Sequence, residues 1–225
     1  PAPGVRGVAI LLFNSLEKAA RAVEYILPHG PTACDLLDRR HVSLAREHEV
    51  RLDVLIPRDT EAVLLIEHHG DQPSEVRHRL LAMVDELQHE RELAVGARLA
   101  FDPAEIELFW RLAIRIQAML YRTKTTTLPV PIIEDIAVPP EVLPAFLPKV
   151  QNVLKRHQVT ASLSAHAGPG QLHLQPFLAL SDPEEARALT RQHIGFYIGG
   201  MGTFYRDALE RQGYDEAVDI HDAWQ

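Results

Sequence analysis

The feature that most limits what this chain can fold into is a repeated grammar. Short, β-rich apolar runs each lead into a stretch of helical periodicity. Gly7 to Phe13 (GVAILLF) is the first run, and Asn14-Ser15 behind it is a helix-entry signal. Leu16, Ala19, Ala20, Val23 and Ile26-Leu27 then recur at helical spacing until Pro28 and Gly30 end the pattern. Thr32 to Leu37 offers a second short β or turn segment, and Asp38 to His48 a charged helical stretch. Ala62 to His68 (AVLLIEH) reads as the next strand. Ser74 and Glu75, with Leu80, Met83, Val84 and Leu87, mark an amphipathic helix.

The second half repeats this pattern. Asp102-Pro103 starts a helix through Phe109, Trp110, Ile114 and Leu120. Pro131 to Val138 is strand-like but interrupted by two acids, and Pro139-Pro140 opens a helix through Phe146, Val150 and Leu154. Val159 to His166 and Gln171 to Leu180 flank Gly168-Pro169-Gly170 and read as a β-hairpin. A helical tail follows from Pro183, broken at Gly199-Gly200-Met201-Gly202. Strands of opposite direction joined by helices predict an α+β fold: an antiparallel sheet with helices packed on one face, plus the helical C-terminal tail. A doubly wound sheet fits less well, since the strands are few and no glycine-rich phosphate turn follows the first. GxGxxG, GxxxxGK[ST], HExxH and CxxC are all absent.

Charge narrows the partners. The 23 Lys and Arg against 31 Asp and Glu leave a formal charge of −8, which argues against an electrostatic nucleic-acid binder. A single cysteine, Cys34, excludes an intramolecular disulfide framework and suits a reducing compartment. No apolar run reaches the roughly 18–20 residues of a membrane span. A cytoplasmic protein is expected, and the start at Pro1 suggests further sequence upstream.

Two constellations could carry chemistry. In AHAGPGQLH, His166 and His173 flank a glycine turn, so both imidazoles could converge on one ion or one substrate oxyanion. Imidazole suits Zn²⁺ and similar metals, although two ligands rarely suffice. The plainer reading, two surface or half-buried histidines beside a turn, stays open. In PVPIIEDIAVPP, adjacent Glu134 and Asp135 should point to opposite faces of a strand, leaving one in need of a partner or a raised pKa. Arg122 and Lys124 upstream offer anion recognition or are ordinary loop charges. Glu67-His68-His69 reads equally as a ligand pair or as a solvated strand end. Phe109-Trp110 reads as core, and Cys34 as packed rather than reactive.

The words EDIAVPPE and HAGxGxLH lie within PVPIIEDIAVPPEVLPAFLPKVQNVLKRHQVTASLSAHAGPGQLHLQPFL. With EIELFWRLAIRIQAMLYRTK and GPTACDLLDRRHVSLARE, this stretch resembles the C-terminal domain of FAD-linked oxidases over residues 5 to 180. That family takes in the glycolate oxidase D subunit, D-lactate dehydrogenases and D-2-hydroxyglutarate dehydrogenase. The resemblance implies a ferredoxin-like cap packed on a separate FAD-binding domain or subunit, oxidising a small D-2-hydroxy acid by hydride transfer to FAD. It implies that His166 and His173 face the substrate as catalytic groups and as ligands of a divalent metal such as Zn or Mn. By the same carry-over Gln171 contacts substrate, and Glu134 and Asp135 match the family's acidic pair on the cofactor side, while the charges of Arg122 and Lys124 make them further expected substrate contacts.

The departures from the family pattern are specific. Gly168-Pro169-Gly170-Gln171 stands where the hairpin usually reads G-D-G-N. Ala113 stands where an arginine is expected three residues after the tryptophan, unless Arg111 or Arg115 replaces it. A later E-H-G motif is missing from residues 1–225, and the FAD-binding domain is expected outside them, in upstream sequence or in a separate polypeptide. His193 to Trp224, with YIGGMG, is similar instead to the C-terminal segment of luciferase-like flavin- or deazaflavin-dependent monooxygenases, or simply supplies two covering helices. The expected organisation is a cap domain over 1–182 and a tail over 183–225. The expected function is the substrate part of an FAD-dependent 2-hydroxyacid dehydrogenase. The alternative is a non-catalytic remnant that keeps only the fold.

Overall fold

The computed structural model describes residues 4–120, 127–131, 133–179 and 203–223, together with residues 184, 187, 191 and 198. Within these, the side chains at 115–119, 133–135, 204 and 205 lie outside the description. The chain divides into two compact units, one of residues 1–124 with 129–177 and one of 125–128 with 178–225.

The first unit begins with β1 (Val5–Phe13), α1 (Leu16–Ile26), β2 (Ala33–Asp38), α2 (Arg39–His48), α3 (Val50–Leu55), β3 (Ala62–Gly70), α4 (Pro73–Asp85) and β4 (Gly96–Ala100). Local chemistry sets the helix starts. Ser15 caps α1 by accepting from Lys18 N at 3.1 Å, and Asp38 caps α2 by accepting from His41 N at 3.0 Å. The four strands pair antiparallel in the order β4-β1-β3-β2. With α1 and α4 as crossovers, this is the ferredoxin-like pattern, and α2 and α3 are an insertion between β2 and β3.

The chain continues through α5 (Pro103–Leu120), β5 (Leu128–Pro129), β6 (Ile133–Ala137), α6 (Leu143–Arg156), β7 (Ala161–His166) and β8 (Gln171–Leu178). These later strands extend the sheet to eight, β7 adding beside β2, then β8, with β5 and β6 both on β8. The antiparallel α+β architecture agrees with the sequence. The placement of helices on one face does not. Ala9, Leu11 and Phe13 of β1 pack with α1, α4 and α6, while Val8, Ile10 and Leu12 pack with α2, α3 and α5. The reason is that β1 is apolar at every position from Val8 to Phe13, so both faces of the strand must be covered. Each fully buried Leu or Ile there contributes about 1.5–3 kcal/mol, so neither face can be left to solvent. The insertion α2–α3 and α5 cover the second face. Strand β4 and helix α3 have no counterpart in the sequence expectations.

Strands β7 and β8 follow a different rule. Leu163, Ala165, Leu172 and Leu174 point into the α1–α6 core. Ser162, Ser164 and His166 alternate with them on β7, and Gln171, His173 and Gln175 on β8. One half of the sheet is thus apolar on both faces, and the other half is polar on one.

The second unit contains α7 (Phe204–Glu210) and α8 (Glu216–Asp222), with His221 Nδ1 3.0 Å from the Ile198 carbonyl. Among the described residues no helix is long and apolar enough to cross a membrane.

The β7–β8 turn depends on Gly170, whose φ is +75° and whose added Cβ would fall 1.8 Å from the Val138 carbonyl oxygen. That backbone is also tied by Val138 N donating to Gly170 O at 2.8 Å. Gly30, at φ +66°, has open space around it. Urea unfolding of Gly170→Ala should therefore show a loss of more than about 2 kcal/mol, against about 1 kcal/mol for Gly30→Ala. Equal losses would contradict this reading of the turn.

Candidate functional site

The polar face of β7 and β8 opens into a cleft of about 380 Å³ lined by Asp35, Leu37, His41, Trp110, Ala113, Ile114, Ser164, Ala165, His166 and His173. Its floor is the sheet, because Asp35 pairs with His166 and Leu37 with Ser164 across β2–β7, and Ser164 with His173 across β7–β8. Its wall is one turn of α5.

The two histidines of the hairpin are brought together, with ring centroids 5.3 Å apart and planes nearly perpendicular. His166 Nδ1 lies 2.9 Å from Asp35 Oδ1. A carboxylate can only accept, so the ring donates its Nδ1 proton and keeps the Nε2 lone pair for the cleft. His166 remains half exposed while Asp35 behind it is buried. A second pair of the same kind lies farther along the strand. His41 Nδ1 is 2.9 Å from Asp38 Oδ1 and 2.8 Å from Ser162 Oγ, and Asp38 Oδ2 accepts from Leu163 N at 2.8 Å.

The other candidates are distributed as follows. Gln171 faces His166 across the ladder and is half-buried at the hairpin base, outside the cleft lining. Arg122 and Lys124 lie outside the described residues. Glu134 and Asp135 fall in β6 where the register against β8 shifts between Ile133 and Ile136. The two-residue alternation that predicts opposite faces presupposes an unbroken ladder, so it does not apply there, and both side chains lie outside the description. Ala113 is in the cleft wall. Arg111 does not line the cleft. It is held by Glu49 at 3.1 Å and Glu107 at 3.3 Å, away from the lining, and the side chain of Arg115 is outside the description.

Sequence reasoning missed Asp35, His41 and Ser164. The available signal was an acid inside the apolar strand ACDLLD, which a strand covered on both faces must partner. Phe109 is core, as expected, but Trp110 is only partly buried and lines the cleft. Cys34 is buried, and desolvation together with the Asp35 charge pushes its thiol up to about 12, so it is packed and inert.

Glu67-His68-His69 is not a solvated strand end: Glu67 and His68 are buried, and only His69 is exposed. Burial pushes the Glu67 carboxyl up. Hydrogen bonds from Arg6 (2.8 and 2.9 Å), His69 and Trp110 (2.5 Å), with the Arg6 charge, outweigh it and hold it below the ordinary range. Glu67 thereby fixes the Trp110 indole that walls the cleft.

The sequence matches the family of FAD linked oxidases, C-terminal domain, over residues 2–195, and the chain belongs to that family. Among curated relatives, the D-2-hydroxyglutarate dehydrogenase of Pantoea ananatis is 27% identical over 92% of this chain and 22% of its own length. That of Pseudomonas putida is 26% identical over 96% of this chain and 23% of its own. The glycolate oxidase subunit GlcD of Escherichia coli is 29% identical over 84% of this chain and 36% of its own. The chain thus spans about a fifth to a third of the length of these relatives. The Pseudomonas putida match takes in most of the segment after residue 183, where the sequence suggested a different flavoenzyme. Among solved structures, p-cresol methylhydroxylase superposes with a TM-score of 0.59 at 11% identity, over 88% of this chain and 44% of that one. The 4-ethylphenol oxidase of Gulosibacter chungangensis gives 0.56 at 14%, over 86% and 44%. At these identities the likeness is one of fold.

The family implies FAD. The cleft fits the reacting end of a flavin, because exposed Ile114 and partly buried Trp110 form an apolar rim beside half-exposed His166. No Arg or Lys lines it among the described residues, so a nucleotide's phosphates find no partner here. The residues do not fit a metal site. His166 and His173 supply two imidazoles, but among the described residues no group of three or more His, Cys, Asp or Glu could hold an ion. Catalytic zinc ordinarily takes three protein ligands.

His68 gives a test of this packing. Both its ring nitrogens are buried without a partner among the described residues, and burial, then the charges of Arg79 and His29, hold its pKa below the usual value. The unfolded chain therefore takes up a proton that the folded one refuses, and stability falls as pH drops through the range around 6.5. His68→Leu should flatten that fall by up to about 1.4 kcal/mol per pH unit, read from urea midpoints between pH 7 and 5. An unchanged slope would show that His68 takes up no extra proton on unfolding.

Proposed function

We propose that this chain is the substrate-side cap of an FAD-dependent oxidoreductase that converts a small D-2-hydroxy acid to the 2-oxo acid. The observation that carries the reading is the Asp35–His166 pair beside His173, on the polar face of an otherwise apolar cleft. Names of the relatives supply the substrate class, since they are dehydrogenases of D-2-hydroxyglutarate and a glycolate oxidase subunit.

Asp35 holds the Nδ1 proton of His166, so Nε2 accepts the C2 hydroxyl proton of the substrate as the C2–H bond breaks. Bound FAD would take the two electrons and the hydrogen as hydride. The proton stays on His166, where Asp35 stabilises the resulting imidazolium. His173 is the second hydrogen-bonding group at that end, and Trp110, Ala113 and Ile114 exclude water from one side. No step is assigned to a metal. On the strength of the resemblance, Gln171 remains a proposed substrate contact and Glu134 and Asp135 proposed neighbours of the cofactor, and on the strength of their charge Arg122 and Lys124 remain proposed substrate contacts. The FAD-binding unit, in the same polypeptide or a partner, is likewise proposed, as are a reducing compartment and a cap over 1–182 with a tail over 183–225.

A remnant without chemistry has one observation in its favour, the methyl of Ala113 in the wall. The two readings separate on one experiment. The chain is combined with its FAD-binding unit, and anaerobic bleaching of the flavin is followed on adding D-2-hydroxy acid. The enzyme reading expects reduction, slowed on the order of 10² by Asp35→Asn and at least as much by His166→Ala. No reduction, or rates within about twofold in both variants, would overturn it.

A further inference from the structure

We propose that His41 is a specificity-determining residue, pairing with a polar group at the far end of the ligand from its reacting carbon. The inference rests on the reading of the cleft as a hydroxy-acid site. His41 lines the cleft but is not at the hairpin. Its ring is fixed from behind, Nδ1 lying against Asp38 Oδ1 and Ser162 Oγ at 2.9 and 2.8 Å. The opposite nitrogen, Nε2, is buried and has no hydrogen-bond partner among the described residues, in a residue only 2% exposed. A buried nitrogen left unpaired costs about 1–3 kcal/mol, while Asp38, Ser162 and the α2 cap together hold the ring in that one orientation. Such a residue is built to meet something that is not protein.

Its place gives the ligand's shape. Ser162 and His166 share one face of β7, four residues apart, so the two histidines stand at opposite ends of a floor about 13 Å long. Between them lie Leu37, Ser164 and the Trp110–Ala113 wall, which suit a short aliphatic chain. With its proton on Nδ1, neutral His41 accepts from a hydroxyl. As imidazolium it donates to a carboxylate. A methyl satisfies neither form, so the cleft selects 2-hydroxy acids with an oxygen at both ends over those ending in alkyl.

The test uses the full 225-residue chain and three D-2-hydroxy acids of equal length: 2-hydroxyhexanedioate, 2,6-dihydroxyhexanoate and 2-hydroxyhexanoate. Ring nitrogens of the histidines are followed by long-range ¹H–¹⁵N spectra. The proposal expects His166 and His173 to respond to all three, and His41 Nε2 to respond to one or both of the first two but not to the last. A response to the diacid alone assigns the carboxylate, and a response to the diol acid alone the hydroxyl. It also expects His41→Phe to remove a preference of about tenfold for the doubly oxygenated acid. If His166 and His173 respond while His41 stays silent throughout, this inference fails and the functional reading stands. If no histidine responds, both fail.

Discussion

The three-residue ladder between β2 and β7 is the interaction on which the rest of the molecule depends. Asp35, Leu36 and Leu37 pair with His166, Ala165 and Ser164, and the contact is extended by Ala167 N on Cys34 O at 2.7 Å and Leu163 N on Asp38 Oδ2 at 2.8 Å. On one side of it stands a ferredoxin-like unit whose strands are apolar on both faces. On the other stands a hairpin that is apolar on one face only. The ladder joins the two in a register that sets an acid from the first against a histidine from the second. A slip of one residue would turn Asp35 and His166 to opposite sides and bury Ser162, Ser164 and His173 in the core. The same register is therefore required by packing and by chemistry.

The carboxylates at this junction do double duty. Asp38 caps α2, ties down the backbone of β7 and orients His41. Asp35 orients His166, and its charge adds to the burial that raises the pKa of the neighbouring Cys34 thiol, keeping the nucleophile of the strand out of the chemistry. Across the cleft, Glu67 gathers Arg6, His69 and Trp110, so the indole is held by a buried charge rather than by packing alone. The site is consequently rigid where it meets a ligand, and its open rim is left to Ile114 and His166.

Much of this was legible in the sequence, and the rest was hidden for identifiable reasons. Apolar period and cap residues placed α1, α2, α4 and α5, and the hairpin followed from alternation around Gly168-Pro169-Gly170. The pairing of His166 with His173 was also legible, because a tight turn brings the bases of its two strands together. The covering of both sheet faces was missed, although the unbroken run Val8–Phe13 carries that signal. Asp35 and His41 were missed because their partners lie 131 and 121 residues away, and no local pattern reports a long-range ladder. The opposite-face reading of Glu134 and Asp135 falls on side chains outside the described residues, at a register shift against β8 that local alternation does not report.

The chemistry of the cleft turns on one proton. If Asp35 sets the tautomer of His166, the free protein carries hydrogen on Nδ1 and a lone pair on Nε2, whether or not any ligand is bound. Long-range ¹H–¹⁵N spectra of histidine-labelled protein, recorded with the imidazole neutral, read this directly. The predicted result is a protonated Nδ1 that shifts toward the Nε2–H form in Asp35→Asn. A wild-type His166 already in the Nε2–H form would contradict the assignment of this pair as the base of the site.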